Sequence, residues 1–174
     1  MTTIKVPERY NDIQRNSRNY VGLMGLSVGK QDFENPEAMD SYCDFMQHNF
    51  LYGLLVIADF PKKYNIMALD GSSEKRAEER TRIAGDNMRN ALEKITRDYP
   101  LVKVARWKDF MNSQYRHNLG VLKDAHVQDT RFQGSVDSLV REFLHCPTNV
   151  KKLKEDDKPQ VSISKEYLLD ELAL

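Results

Sequence analysis

A chain of 174 residues is long enough to bury one real core and too short for two well-formed ones. With 40% hydrophobic and 30% charged residues but only 8 Gly and 6 Pro, it falls outside the collagen-like, low-complexity and disordered classes. Its 26 Lys and Arg balance its 26 Asp and Glu, so any binding to nucleic acid or an anionic membrane has to come from a local patch.

Met1 to Asn19 is polar and charged, without the apolar stretch of a secretion signal, and no apolar run approaches a membrane span. The expected compartment is the cytoplasm. Tyr20 to Leu26 is a short apolar run broken by Gly22 and Gly25, and it meets the turn Ser27-Val28-Gly29. The run reads as a buried strand that ends at an exposed serine. Asn35 with Pro36 and Glu37 is a helix start, and Ala38, Tyr42, Phe45, Met46 and Asn49 follow on one helical face. Leu51 to Ala58 is nearly all apolar and stops at Asp59 and Pro61, as a strand covered on both faces would.

Ser73 to Arg97 holds no proline, and Ala77, Ala84, Met88, Ala91 and Ile95 form a helical stripe opposite Lys75, Arg82 and Arg89. Leu101 to Ala105 reads as a third strand, Trp107 to about Ala125 as a helix, and Phe132, Val136, Leu139, Val140 and Phe143 as the apolar face of another, ending near Cys146-Pro147. Lys151 to Pro159 is a charged connector, and Ser162 to Leu174 suits a last helix, with Ser162 or Ser164 as its cap. Apolar strands alternating with helices imply α/β architecture: a parallel sheet with helices on both faces. Ligands of such sheets sit at the carboxyl ends of the strands, where Ser27 and Asp59 both fall.

Gly25-Leu26-Ser27-Val28-Gly29 has the G-x-S-x-G spacing of the hydrolase nucleophile elbow, in which glycines permit a sharp turn that pushes the hydroxyl outward. The same pentapeptide also describes an ordinary glycine-rich strand-to-helix turn. A hydrolase needs a histidine base later in the chain, and His117, His126 and His145 are in order, each on or beside an expected helix. Cys43 and Cys146 lack zinc-site or disulfide-framework spacing, so reduced thiols and no metal are expected.

A longer pattern narrows the choice. The serine turn with Phe33 six residues on, then Leu54-Leu55-Val56-Ile57-Ala58-Asp59 with Pro61 and Tyr64-Asn65-Ile66, then a basic helix, then Tyr167-Leu168-Leu169-Asp170-Glu171-Leu172 resembles the cyclodipeptide synthase family. The matches are in order and span most of the chain. The resemblance implies a Rossmann-like fold similar to the catalytic domains of the class I tyrosyl- and tryptophanyl-tRNA synthetases. It implies an aminoacyltransferase that joins the amino acids of two aminoacyl-tRNAs into a cyclic dipeptide. Ser27 would be the acyl-accepting nucleophile, Tyr167 would hold the substrate amino group and Glu171 would handle its proton. No ATP, metal or flavin cofactor is implied, because the ester is already activated, and the chain has no P-loop or dinucleotide fingerprint.

On a helix, Tyr167 and Glu171 share a face one turn apart. The docking element implied for the tRNA acceptor arm is the helix carrying Lys75, Arg76, Arg80, Arg82, Arg89, Lys94 and Arg97, whose charge is diluted by Glu74, Glu78, Glu79, Asp86 and Glu93. Leu23 and Gly25, on the strand that leads to the serine, are the candidate walls of the substrate pocket. Lys30 stands where one branch of the family has Asn, and Ala173 where Pro is usual. The chain ends at Leu174, where relatives continue. The expectation is one monomeric catalytic domain, residues 1–174, short of the family's C-terminal elements. A serine hydrolase and an inactive tRNA-binding remnant are the alternatives.

Overall fold

The computed structural model describes residues 19–146, 149 and 158–174. They divide into two compact units. One comprises the described residues up to Asp59 together with Ile83–Trp107; the other comprises Phe60–Arg82 together with the described residues of Lys108–Leu174.

The first unit is a parallel sheet in the order β1 (Val21–Leu26), β2 (Tyr52–Ile57), β3 (Val102–Arg106). Gly25 is in register with Val56, Leu26 with Ile57, and Ile57 with Arg106. Between β1 and β2 run a single helical turn, α1 (Gln31–Glu34), and α2 (Pro36–Asn49). Asn35 caps α2, its side-chain oxygen accepting from Glu37 N–H at 3.0 Å, and Pro36 takes the first turn, where an N–H would have no partner. The core joins Leu26, Leu55 and Ile57 of the sheet to Met39, Cys43 and Met46 of α2 and to Met88 and Leu92. Those last two lie on the long helix α4 (Glu74–Ile95), which opens in the helical unit and enters the sheet unit at Ile83.

The second unit is helical: α3 (Lys62–Asp70), the start of α4, α5 (Ser113–Gln128), α6 (Thr130–Leu144) and α7 (Lys158–Ala173). Asn112 caps α5 by accepting from Tyr115 N–H at 3.0 Å, and Asp129 caps α6 by accepting from Arg131 and Phe132. Val136, Val140 and Leu144 of α6 pack with Leu169 of α7, with Phe132 and Phe143 partly buried against them; Leu139, which the sequence placed in the same stripe, is 53% exposed.

Four readings change. β1 is an edge strand rather than a buried one: Val21 is 42% and Leu23 59% exposed, because an apolar run does not reveal whether both of its faces are covered. Residues 62–70 form a helix that the sequence did not announce, started at Pro61 and stopped by Gly71 in the left-handed region at φ 65°. The expected helix from Trp107 is two elements, a 3-10 turn at Trp107–Phe110 and then α5. α7 begins at Lys158, so Ser162 and Ser164 are inside it and cap nothing; Ser164 is buried and its hydroxyl has no partner among the described residues. Most of the charged connector lies outside the described residues.

Candidate functional site

Ser27 is the first residue beyond β1, half-buried, at the carboxyl end of the sheet. The end of β1 is tied to β2 by Ala58 N–H donating to the Leu26 carbonyl at 2.8 Å, and Lys30 N–H closes the turn on the Ser27 carbonyl at 3.4 Å. The two glycines of G-x-S-x-G do different work. Gly29 has φ 77°, a left-handed conformation that side chains rarely adopt. Gly25 needs no special conformation; a Cβ there would meet nothing within 4 Å. With Leu23 it occupies alternate positions of the strand that ends beside Ser27, both of them exposed. The expected pocket wall is therefore open surface in the sheet unit.

Asp59, the other residue at a strand end, is engaged. Its Oδ2 accepts from Arg106 Nε at 2.8 Å and from Nη2, and Arg106 Nη1 also reaches Asp86. The Asp59 and Arg106 side chains are 7% and 5% exposed. This buried ion pair explains Gly85 on α4: a Cβ there would stand 2.6 Å from Asp59 Oδ2 and 2.7 Å from Arg106 Nη2. Asp59 holds the sheet's end together, and its partner Arg106 carried no signal in the sequence.

On α7 the Tyr167 hydroxyl donates to Glu171 Oε1, as the four-residue spacing predicts. The Tyr167 ring stacks on Phe143 of α6, with centroids 6.5 Å apart and planes 14° from parallel. Burial pushes the Tyr167 phenol well above the usual tyrosine range and the Glu171 carboxylate adds to this, while a hydrogen bond from Asn65 of α3 works in the opposite direction. Beside this pair Asp170 is buried and accepts from the Tyr115 hydroxyl. Tyr64 is held strongly protonated first by burial and then by Asp170, to which it is hydrogen-bonded. Asn65 and Asp170 were not singled out from the sequence, although Tyr64-Asn65-Ile66 lies within the pattern that carried the resemblance.

The seven expected tRNA contacts divide by their partners. Arg80 pairs with Asp70 at 2.8 Å, Arg82 with Glu79 at 2.8 Å and Arg89 with Glu93 at 2.7 Å. Lys75, Arg76, Lys94 and Arg97 are exposed and make no ion pair among the described residues. Of the histidines weighed as a base, His117 and His145 are exposed, and His126 stands 3.7 Å from Asp137, which Lys165 pairs at 2.7 Å. Among the described residues, no group of three or more His, Cys, Asp or Glu could hold a metal ion, and no helix is long and apolar enough to cross a membrane.

The family model for cyclodipeptide synthases matches residues 11–174. Among solved structures, a cyclodipeptide synthase from Fluoribacter dumoffii is 15% identical with a TM-score of 0.79, over 98% of this chain and 75% of that one. A Mycobacterium tuberculosis protein, whose structure is described as demonstrating that cyclodipeptide synthetases are related to type I tRNA synthetases, is 17% identical with a TM-score of 0.76, over 96% of this chain and 70% of that one. A cyclodipeptide synthase from Candidatus Glomeribacter gigasporarum bound to Phe-tRNA is 16% identical with a TM-score of 0.68, over 94% of this chain and 76% of that one. At these identities the likeness is one of fold. No curated protein matches in sequence.

Proposed function

Since this chain belongs to the cyclodipeptide synthase family of tRNA-dependent aminoacyltransferases, we propose that it joins the amino acids of two aminoacyl-tRNAs into a cyclic dipeptide, a diketopiperazine, through an aminoacyl-Ser27 intermediate. In the first step Ser27 Oγ attacks the ester carbonyl. The bond to the tRNA's terminal ribose breaks, and that ribose oxygen leaves with the serine's proton. One ester replaces another, so no further activation is needed.

Each of the two amide bonds that follow needs a neutral amine, whereas an α-amino group at neutral pH is mostly an ammonium. Glu171 is the group that binds the cation and accepts its proton, and Tyr167 holds the amine at its angle of attack. When both amide bonds have formed, both tRNAs have departed and Ser27 is free. Leu23 and Gly25, exposed on the strand that ends beside Ser27, are the surface that a substrate side chain lies against. Lys75, Arg76, Lys94 and Arg97 meet acceptor-arm phosphates first, while Arg80, Arg82 and Arg89 can exchange weak surface ion pairs for phosphate. The two units serve one reaction as a single catalytic domain, acting as a monomer in the cytoplasm.

What supports the reading is a half-buried serine at the carboxyl end of a parallel strand, in a turn that requires Gly29, within a chain that matches the family over residues 11–174. The same turn suits a hydrolase elbow. However, the one described histidine of the sheet unit, His48, is at the C-terminal end of α2, opposite the serine's end of the sheet. Intact-protein mass spectrometry after mixing with a charged tRNA pool tests the proposal: the parent gains an aminoacyl adduct and Ser27→Ala gains none. An adduct retained in the variant moves the nucleophile elsewhere. Labelling by a fluorophosphonate with tRNA-independent ester turnover would identify a hydrolase, and tRNA binding without adduct an inactive remnant.

A further inference from the structure

Asn65 is 7% exposed, and its side-chain carbonyl oxygen is buried with no partner among the described residues. A buried amide left half-paired is less stable than a fully paired one, and a leucine of similar volume would leave no polar atom behind. Stability therefore does not account for an asparagine here. The amide sits beside the Tyr167 phenol, whose pKa it shifts downward, across the packing of α3 on α7. Its neighbour Tyr64 makes the parallel contact to Asp170, so α3 addresses α7 through two consecutive side chains.

A phenol oxygen has one proton to give and two lone pairs to accept with. If nothing donates to it, the hydroxyl is free to rotate among acceptors. We infer that Asn65 is a positioning residue for amine deprotonation: by donating to Tyr167 Oη it commits the phenolic proton to Glu171 Oε1 and leaves one lone pair facing the incoming amine. The direction of the chain runs from amide to phenol to carboxylate, and each bond polarises the next. Glu171 is thereby held with one oxygen occupied and the other open to the ammonium. Asn65 touches neither substrate nor Glu171; it acts only through the Tyr167 hydroxyl.

This rests on the proposed roles of Tyr167 and Glu171, and a double-mutant cycle separates the two claims. Asn65→Leu, Tyr167→Phe and the combined variant are each given a tRNA pool charged with radiolabelled amino acids, and the adduct and cyclic product are followed in the same reaction. We expect Asn65→Leu to form the adduct at the parent rate, to make cyclic product about tenfold more slowly, the scale of one hydrogen bond, and to melt no lower than the parent. Added to Tyr167→Phe, Asn65→Leu should cost nothing further. If the losses multiply, or if Asn65→Leu cyclises at the parent rate while Tyr167→Phe does not, the inference falls and the roles of Tyr167 and Glu171 stand. If Tyr167→Phe itself cyclises at the parent rate, both fall. Should Asn65→Leu not fold, Asn65→Ser, too short to reach the phenol, is read in the same cycle. A loss of cyclisation matched by equal losses of adduct formation and melting temperature would make Asn65 structural.

Discussion

Each unit buries a carboxylate, and the two are treated in opposite ways. Asp59 at the end of β2 meets a guanidinium, Arg106, which also takes Asp86. Asp170 on α7 meets phenols, Tyr115 and Tyr64, which give hydrogen bonds but no charge. Asp59 is held by a cation that it shares with Asp86, and its Oδ1 is buried without a hydrogen-bond partner among the described residues. Asp170 is held by neutral donors, and Glu171 stands one residue further along the same helix. Under the function proposed above, the sheet unit would supply the nucleophile and the helical unit would handle the ammonium.

The largest effect should come from breaking the buried ion pair. Arg106→Leu strands a buried carboxylate and is expected to cost about 3–5 kcal/mol, with part of the loss recovered when Asp59→Leu is added. Tyr115→Phe removes one bond to a charge and should cost less, about 1.5–3 kcal/mol. Urea unfolding of the variants measures both, and equal losses would erase the contrast.

Next is the division of labour itself. Glu171→Gln keeps the shape and removes the charge, so the aminoacyl-Ser27 adduct should still form while cyclic product falls by about two orders of magnitude. Time-resolved quantitation of adduct and product in one reaction decides it; cyclic product at the parent rate would return Glu171 to being a helix-surface charge. A smaller change is expected for tRNA. Reversing Lys75, Arg76 and Lys94 to Glu should weaken binding and flatten a log K against log salt slope that three phosphate contacts would set at roughly −2 to −3. Filter binding across a salt series reads it, and an unchanged slope would move the docking surface off this helix.

The smallest expected effect is a property of the sheet unit's core. Burial, with Asp40 adding to it, pushes the Cys43 thiol from 9.0 up to about 11. A folded-state value above the unfolded one contributes stability that is complete below about pH 9 and is lost as pH rises toward 11. Cys43→Ala should flatten the alkaline limb of the stability profile between those limits, and an unchanged limb would assign it to other groups. Tyr99, raised to about 12 chiefly by its hydrogen bond to Asp40, falls in the same range and is the control to replace by Phe.

The local elements were legible because their signals are local. Asn35-Pro36-Glu37 starts a helix through its own capping bond, Phe132 to Phe143 repeats at the helical period, and Tyr167 with Glu171 is a four-residue spacing that one helix turns into contact. What the sequence alone determined was the order of the three strands and of the helices other than residues 62–70, the serine turn with its glycines, and the family pattern. Tertiary structure decided which face of an apolar run is covered: Val21, Leu23 and Gly25 share the exposed face of β1, while Gly22 and Leu26 on the other face are buried. It decided that Asp59 belongs to Arg106, 47 residues away, and that Asn65 and Tyr64 answer to a helix about a hundred residues further on. It decided too which of seven basic side chains are already paired. Pairing and burial depend on what the rest of the chain brings to a side chain, and periodicity reports only which way that side chain points.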